Sequence, residues 1–152
     1  MKTTSLFLAA LAMSLALVTR ATTQAGQNPQ TVSAVTPEQV RWLTTYYTDG
    51  RERAHLLGDP DGEGVWVDRV KIPGNMRVLA HTHLNDELAT VLQGTWYLGA
   101  GVRFDSTKLK AYPAGTFVFI PAGVAHFVAT KEGPVIVQLN GTGKWETHYI
   151  EK

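Results

Sequence analysis

Three histidines and one glutamate have the most informative spacing in the sequence. His81 and His83 are two residues apart, Glu87 follows four residues later, and His126 lies further along the chain. In a β-strand, side chains two residues apart project from one face, which would place His81 and His83 side by side, about 6–7 Å apart along the backbone. Three imidazoles with one carboxylate form a donor set that suits Mn, Fe, Co, Ni, Cu or Zn, rather than Ca or Mg.

Two turns would bring the other candidate ligands to this pair. Asn85 and Asp86 predict a turn, after which the chain reverses and Glu87 begins a neighbouring strand. A second turn, over residues 121–123, precedes His126 in a later hairpin. If the odd-numbered positions face inward, the Glu87 carboxylate meets the two imidazoles of His81 and His83. Glu87 could also act as a base beside the metal.

Strand parity gives weaker predictions about the surroundings of the site. Arg77 shares the face of His81 and His83, so it either lines the pocket as a partner for an anionic ligand or is a solvated arginine near the barrel mouth. His55 and His148 have no such spacing and are interpreted as ordinary surface or hydrogen-bonded histidines. The same alternation predicts a mostly apolar interior, formed by Ala89, Val91, Val128, Val137 and Leu139.

The elements that must position these residues are short strands separated by Gly- and Pro-containing turns, a pattern typical of a β-sandwich or barrel. Strands are predicted over 65–72, 77–83, 87–92, 95–98, 116–120, 125–130, 134–140 and 145–150. Before them, residues 37–47 predict a short helix with Thr36 as N-cap and Pro37 in the first turn. The alternative is an edge strand over 40–47.

The chain has 152 residues, of which 44% are apolar and 18% charged, and this favours a single folded domain. It contains no cysteine, which excludes disulfides, thiolate ligands and a cysteine nucleophile. Residues 1–25 have a lysine, an apolar stretch over 6–18 and then small polar residues, the pattern of a secretory signal peptide. A membrane anchor is the alternative, although this stretch is short for the ~20 residues that span a bilayer.

The other predicted segments are a disordered linker over 26–36 and one domain over 37–152. Cleavage would remove Lys2 and Arg20, so Lys plus Arg falls from 14 to 12 against 13 acidic residues, and the mature chain is close to neutral. A near-neutral domain lacks the basic footprint of nucleic-acid binding. We therefore expect an exported bacterial protein, periplasmic or extracellular, with no nucleic-acid partner and no membrane attachment after cleavage.

The arrangement of these motifs resembles the cupin superfamily. The first cupin motif corresponds here to Gly74, His81, His83, Glu87 and Gly94. The second motif corresponds to Gly115, Pro121, Gly123 and His126. The glycines mark tight corners that need a positive φ or the absence of a Cβ atom. Further similarity to a group of small exported bacterial cupins lies in residues 57–60, 90–95 and 98–101.

The resemblance implies a double-stranded β-helix, an RmlC-like jelly-roll barrel, with one divalent metal ion held inside by His81, His83, Glu87 and His126. It covers roughly residues 63–150. Two departures are present: the gap from Gly74 to His81 is one residue longer than in the strict motif, and Thr130 stands where the second motif often ends in Asn. Resembling cupins are commonly dimers, so a homodimer is also expected.

Two classes of function fit this site. The first is a metalloenzyme that acts on a small organic molecule by dioxygenase, lyase or isomerase chemistry, because three histidines and a carboxylate leave coordination positions open. The second is a non-catalytic protein that binds metal or a small ligand in the periplasm. Fold alone does not separate the two classes.

Overall fold

Ten antiparallel strands make up almost all of the regular structure in the computed structural model, which describes residues 31–151. The strands are β1 (Glu52–Leu57), β2 (Val65–Ile72), β3 (Arg77–His83), β4 (Glu87–Gln93), β5 (Thr95–Ala100), β6 (Lys110–Pro113), β7 (Phe117–Ile120), β8 (His126–Ala129), β9 (Val135–Thr142) and β10 (Thr147–Tyr149). Two of them, β1 and β6, were not predicted. The other eight lie within two residues of the predicted bounds, although β10 covers only half of the predicted 145–150.

The strands form two five-stranded sheets. The first has the order β1-β2-β9-β4-β7 and the second the order β10-β3-β8-β5-β6. Side chains from both sheets pack into one apolar core between them, with Trp66 and Val70 from the first sheet and Trp96 and Val128 from the second. The predicted all-β barrel is confirmed, and all five side chains of the predicted apolar interior are buried.

From β2 to β5, and again from β6 to β10, each strand passes to the other sheet, and this determines how the candidate ligands meet. Strand β3 belongs to the second sheet, whereas β4, which follows it after a three-residue turn, belongs to the first. Because β4 pairs with β9 and β7 rather than with β3, the prediction that Glu87 begins a strand neighbouring that of His81 and His83 is wrong. Glu87 faces the histidines across the barrel instead.

Two corners between strands require glycine, because the backbone there has a positive φ or passes too close to another segment for a Cβ atom. Gly94, between β4 and β5, has φ +77°, and a Cβ atom there would lie 2.8 Å from the Pro134 carbonyl oxygen. Gly74, between β2 and β3, packs against the Gly133 backbone so closely that a Cβ atom would lie 2.9 Å from its nitrogen. Both observations agree with the expected roles of the motif glycines.

A β-bulge in β3 changes which side chains face the interior. Val78 pairs with Val128 and His81 with His126, so three residue steps on β3 lie opposite two steps on β8. Val78 is buried on one side of the bulge, and both His81 and His83 are buried on the other. The bulge accommodates the additional residue between Gly74 and His81, and it turns Arg77 outward, where it is exposed.

The segment before β1 is neither a full helix nor an edge strand. A single 3-10 turn covers Pro37–Gln39, and an isolated bridge then joins Leu43 to Arg53 of β1. The aromatic residues that follow the turn are drawn onto basic side chains of the first sheet. The Arg53 guanidinium lies 4.5 Å from the Tyr46 ring centroid, and Lys71 lies 4.8 Å from that of Trp42. These contacts outweigh the local preference for a helix.

The predicted signal peptide and most of the linker lie outside the described residues. Residues 31–36 are exposed and belong to no helix or strand. Within the part of the chain that the structure describes, no helix has the length and apolar character that crossing a membrane requires.

Candidate metal centre

The barrel interior brings together the four side chains predicted as ligands. The ligand nitrogens of His81, His83 and His126 lie within 4.8 Å of one another. Oε2 of Glu87 lies 3.2 Å from Nε2 of His83 and 3.3 Å from Nε2 of His126. All four side chains are at most 8% exposed. Two imidazoles thus contact one buried carboxylate oxygen, and the His81 ring lies beside them, with its centroid 5.0 Å from that of His83 and 4.3 Å from that of His126.

The hydrogen bonds of the three imidazoles determine which nitrogen faces the cluster. Nδ1 of His81 lies 2.7 Å from the carbonyl oxygen of Leu79. Nδ1 of His83 lies 3.2 Å from the carbonyl oxygen of Glu146, and Nδ1 of His126 lies 3.0 Å from that of Val124. A carbonyl oxygen only accepts, so each Nδ1 must carry the proton and donate it. When such a ring is neutral, its Nε2 is unprotonated and available as a metal ligand.

Two buried atoms at the centre have no hydrogen-bond partner among the described residues, namely Oε2 of Glu87 and Nε2 of His126. With Nδ1 protonated, the contact between these two atoms joins two lone pairs, which repel unless a cation lies between them. A divalent transition metal held at this centre would satisfy both atoms. The three histidines are placed to hold such an ion, and Glu87, which lies beside two of them, would be its fourth ligand.

The pKa values of the centre favour the same charge states. Burial of the ring and the nearby His126 lower the pKa of His81 to about 3. Burial alone would raise the pKa of Glu87, but hydrogen bonds and positive charge from the imidazoles of His126 and His83, when their Nε2 carries a proton, outweigh it and lower this pKa to about 2. Near neutral pH the centre thus contains a carboxylate beside a neutral His81, which is the state that a metal requires.

A small, partly open cavity of about 50 Å³ extends from the four candidate ligands. The Trp145 ring stacks on the His83 imidazole with their centroids 4.0 Å apart and fixes the ring plane of that ligand. The indole nitrogen of Trp96 is buried without a partner among the described residues. The apolar walls consist of Val70, Ile72, Val78, Val128, Val137 and Leu139.

The open side of this cavity is polar. Tyr47 and Arg51 line it, and burial raises the pKa of Tyr47 to about 12, so its hydroxyl stays protonated. Arg51 forms an ion pair with Asp49 at 2.8 Å and donates a hydrogen bond to the Tyr149 hydroxyl, also at 2.8 Å. The Tyr149 ring in turn lies 5.5 Å from the His81 ring, centroid to centroid. We call Tyr47, Asp49, Arg51 and Tyr149 the rim.

The remaining sequence predictions have mixed outcomes. Arg77 does not line this cavity, because the bulge points it to the outer surface, where its guanidinium lies 5.1 Å from the Phe104 ring centroid. His55 pairs with Asp68 at 2.9 Å, and His148 with Glu146 at 3.3 Å, as expected of ordinary histidines. The rim residues were missed, since they lie in an irregular segment and at the last strand, where no periodic pattern marks them.

Three solved structures illustrate what the chain is similar to. The polyketide cyclase RemF from Streptomyces resistomycificus matches with a TM-score of 0.66 and 16% identity, over 80% of this chain and 87% of that one. An RmlC-like cupin protein from Ralstonia eutropha matches with a TM-score of 0.57 and 18% identity, over 76% of this chain and 71% of that one. The DMSP lyase DddQ from Ruegeria pomeroyi matches with a TM-score of 0.54 and 19% identity, over 70% and 57%.

No protein-family model matches the chain, and a search of curated proteins found none that is similar. The structural matches extend over both sheets and agree with the strand topology described above. The chain therefore has the double-stranded β-helix fold of the cupin superfamily.

Proposed function

We propose that this protein is an exported metalloenzyme that converts a small organic molecule by lyase or isomerase chemistry. One observation carries the proposal: Nε2 of His83 and Nε2 of His126 lie 3.2 and 3.3 Å from a buried Glu87 oxygen that has no hydrogen-bond partner among the described residues, and the His81 imidazole lies beside them. This arrangement is costly without a cation and favourable with one. A cavity next to it offers space for a ligand.

The choice of reaction class rests on the cavity and on the similar structures. Two of these are named as a polyketide cyclase and a DMSP lyase, and such names favour chemistry that makes or breaks a bond within one small molecule. When bound, a divalent ion would polarise a carbonyl or hydroxyl oxygen of the substrate. The valine-rich walls would exclude water and hold the apolar part of that molecule.

The residues of the rim would complete the site. The Tyr47 hydroxyl stays protonated up to high pH, so it can donate a hydrogen bond to a substrate oxygen. Glu87 is better suited to holding the metal than to taking a proton, because a carboxyl with a pKa near 2 is a weak base. Ligand and positioning roles are thus divided between the centre and the rim.

Metal content is the first test. Mature protein without an affinity tag is analysed by elemental mass spectrometry beside a His81→Ala/His83→Ala double variant and a His148→Ala control, which removes an exposed histidine. We expect close to one transition-metal ion per chain in the wild type and in the control, and none in the double variant. Protein that binds no metal even after reconstitution would refute the proposal.

The identity of the metal then directs the activity assay. Zinc leads to panels of lyase and isomerase substrates, whereas iron, copper or manganese adds oxygen-uptake measurements. Stoichiometric metal without turnover in either panel would favour the alternative, a binding protein for metal or a small ligand. Export is tested separately, by determining the N-terminus of the protein recovered from its native host, which we expect within about residues 20–30.

A further inference from the structure

Arg51 is the cationic side chain among the described residues that line the cavity. Its side chain is only 11% exposed, and the guanidinium lies 4.1 Å from the Tyr47 ring centroid. An arginine that is held in one place, largely shielded from water, interacts with an anion more strongly than an exposed one does. Its position beside the candidate metal centre calls for an explanation in terms of the ligand.

The existing bonds of Arg51 occupy only part of its hydrogen-bonding capacity. Nε donates to both carboxylate oxygens of Asp49, at 3.1 and 3.0 Å, and Nη2 donates to the Tyr149 hydroxyl. A guanidinium has five N–H groups, and these bonds do not involve the two on Nη1. Asp49 and Tyr149 therefore orient the guanidinium and leave one edge of it for another acceptor.

The charges around the cavity favour a ligand with a single negative charge. Asp49 offsets much of the positive charge of Arg51, so the rim has little excess charge with which to hold a dianion such as a phosphate. At the inner end, Glu87 would offset half the charge of a divalent ion, which leaves about one positive charge there. Between these two ends the walls are apolar. A monoanion with an apolar body matches all three features.

We propose that the substrate is a small organic acid whose carboxylate binds Arg51 and Tyr47 at the rim while its apolar part lies along the valine-rich walls. The reactive oxygen of the molecule would then face the candidate metal centre. This inference rests on the proposed function and deepens it by naming the class of substrate. Asp49 and Tyr149 act as positioning residues, because they hold Arg51 rather than the ligand.

The test compares a carboxylate with its neutral counterpart. Benzoate and benzamide have the same ring and similar size, but only benzoate carries a charge. Binding of each to Zn²⁺-loaded protein is measured by calorimetry. We expect benzoate to bind at least about tenfold more tightly, the range expected for a hydrogen bond to a charged group. Phenyl phosphate is the third probe, and we expect it to bind more weakly than benzoate.

Variants then assign any preference to Arg51. Arg51→Met should abolish the preference for benzoate, and Arg51→Lys should keep only part of it because a lysine lacks the planar fork. Arg103→Met removes an exposed arginine outside the cavity and should change nothing. Unchanged zinc content in Arg51→Met, measured on the same sample, would show that the metal centre is intact.

Each remaining outcome distinguishes between the two proposals. Zinc that binds without any preference for benzoate overturns the organic acid while the metalloenzyme stands. A preference that survives in Arg51→Met shows that the metal alone attracts the carboxylate, and it also overturns the role of Arg51. Tighter binding of phenyl phosphate overturns the monoanion. Protein that holds no zinc refutes the proposed function, whatever the probes do.

Discussion

Replacing Glu87 by glutamine distinguishes between two explanations of the cluster, a metal site and a buried ion pair that needs no metal. The amide has the same shape as the carboxylate, but it carries no charge and brings two N–H donors. Those donors would lie about where Oε2 now sits, 3.2 and 3.3 Å from Nε2 of His83 and His126. The lone-pair contacts of the metal-free protein would become hydrogen bonds.

The magnitudes follow from the burial of the centre. Each of the two new hydrogen bonds is worth about 0.5–1.5 kcal/mol, so the metal-free variant should be about 1–3 kcal/mol more stable than the wild type. Metal affinity should fall by at least about 100-fold, since even the outer partners of metal ligands are worth about 10–100-fold. At a metal concentration 100 times the wild-type Kd, metal stabilises the wild type by about 2.7 kcal/mol and the variant by only about 0.4 kcal/mol.

Urea unfolding measures both quantities, on metal-free and zinc-loaded protein, at about pH 8, where unperturbed imidazoles are neutral. Glu52→Gln is the control, because it removes a surface partner of Lys71 and leaves the interior unchanged. A metal-free variant that loses more than about 1 kcal/mol would refute the reasoning. It would mean that Glu87 is held by a protonated histidine, as in a buried ion pair, and that no metal is needed to explain the cluster.

Two further predictions concern the stability of the metal-free chain. Folding lowers the pKa of His81 to about 3, so the unfolded chain binds more protons between about pH 6.5 and 3. The free energy of unfolding therefore decreases as the pH falls through this range, by up to about 2–3 kcal/mol at pH 4.5. Glu87 adds to the loss below its ordinary pKa. Unfolding free energies that stay constant from pH 7 to 4.5 would contradict this. The second prediction concerns Asp68→Asn, which removes the partner of the fully buried Arg53 and should lower the free energy of unfolding by about 3–5 kcal/mol. The control Asp61→Asn changes an exposed residue and should lower it by less than about 0.5 kcal/mol. Both are measured by urea unfolding.

The sequence was sufficient to predict the barrel and the grouping of the four candidate ligands, because both depend on local regularities. Alternation of apolar residues marks the strands, and glycines mark the corners. The spacing of His81, His83 and Glu87 is a local feature of the sequence that does not depend on the rest of the chain. Strand β1 was missed, since its buried face contains Arg53, whose burial depends on a partner in the next strand. A charged residue in a short segment otherwise indicates an exposed turn.

The rim could not be predicted for a related reason. Arg51 and Tyr149 are 98 residues apart and meet only in the folded barrel. The segment that contains Tyr47 follows a 3-10 turn and has no period of its own. Its path is determined by aromatic rings that pack on basic side chains of a sheet formed later in the sequence. Only tertiary structure contains that information.

The bulge in β3 has a consequence for how similar sites are found in other sequences. Inserting one residue into a regular strand moves every later side chain to the opposite face of the sheet. Here the extra residue is confined between Val78 and His81, and both histidines still face the interior. Chains that use the same four side chains can thus differ by one residue in the spacing before the first histidine. A search pattern with a rigid gap at that place would discard them, whereas one that allows a single-residue gap would recover them.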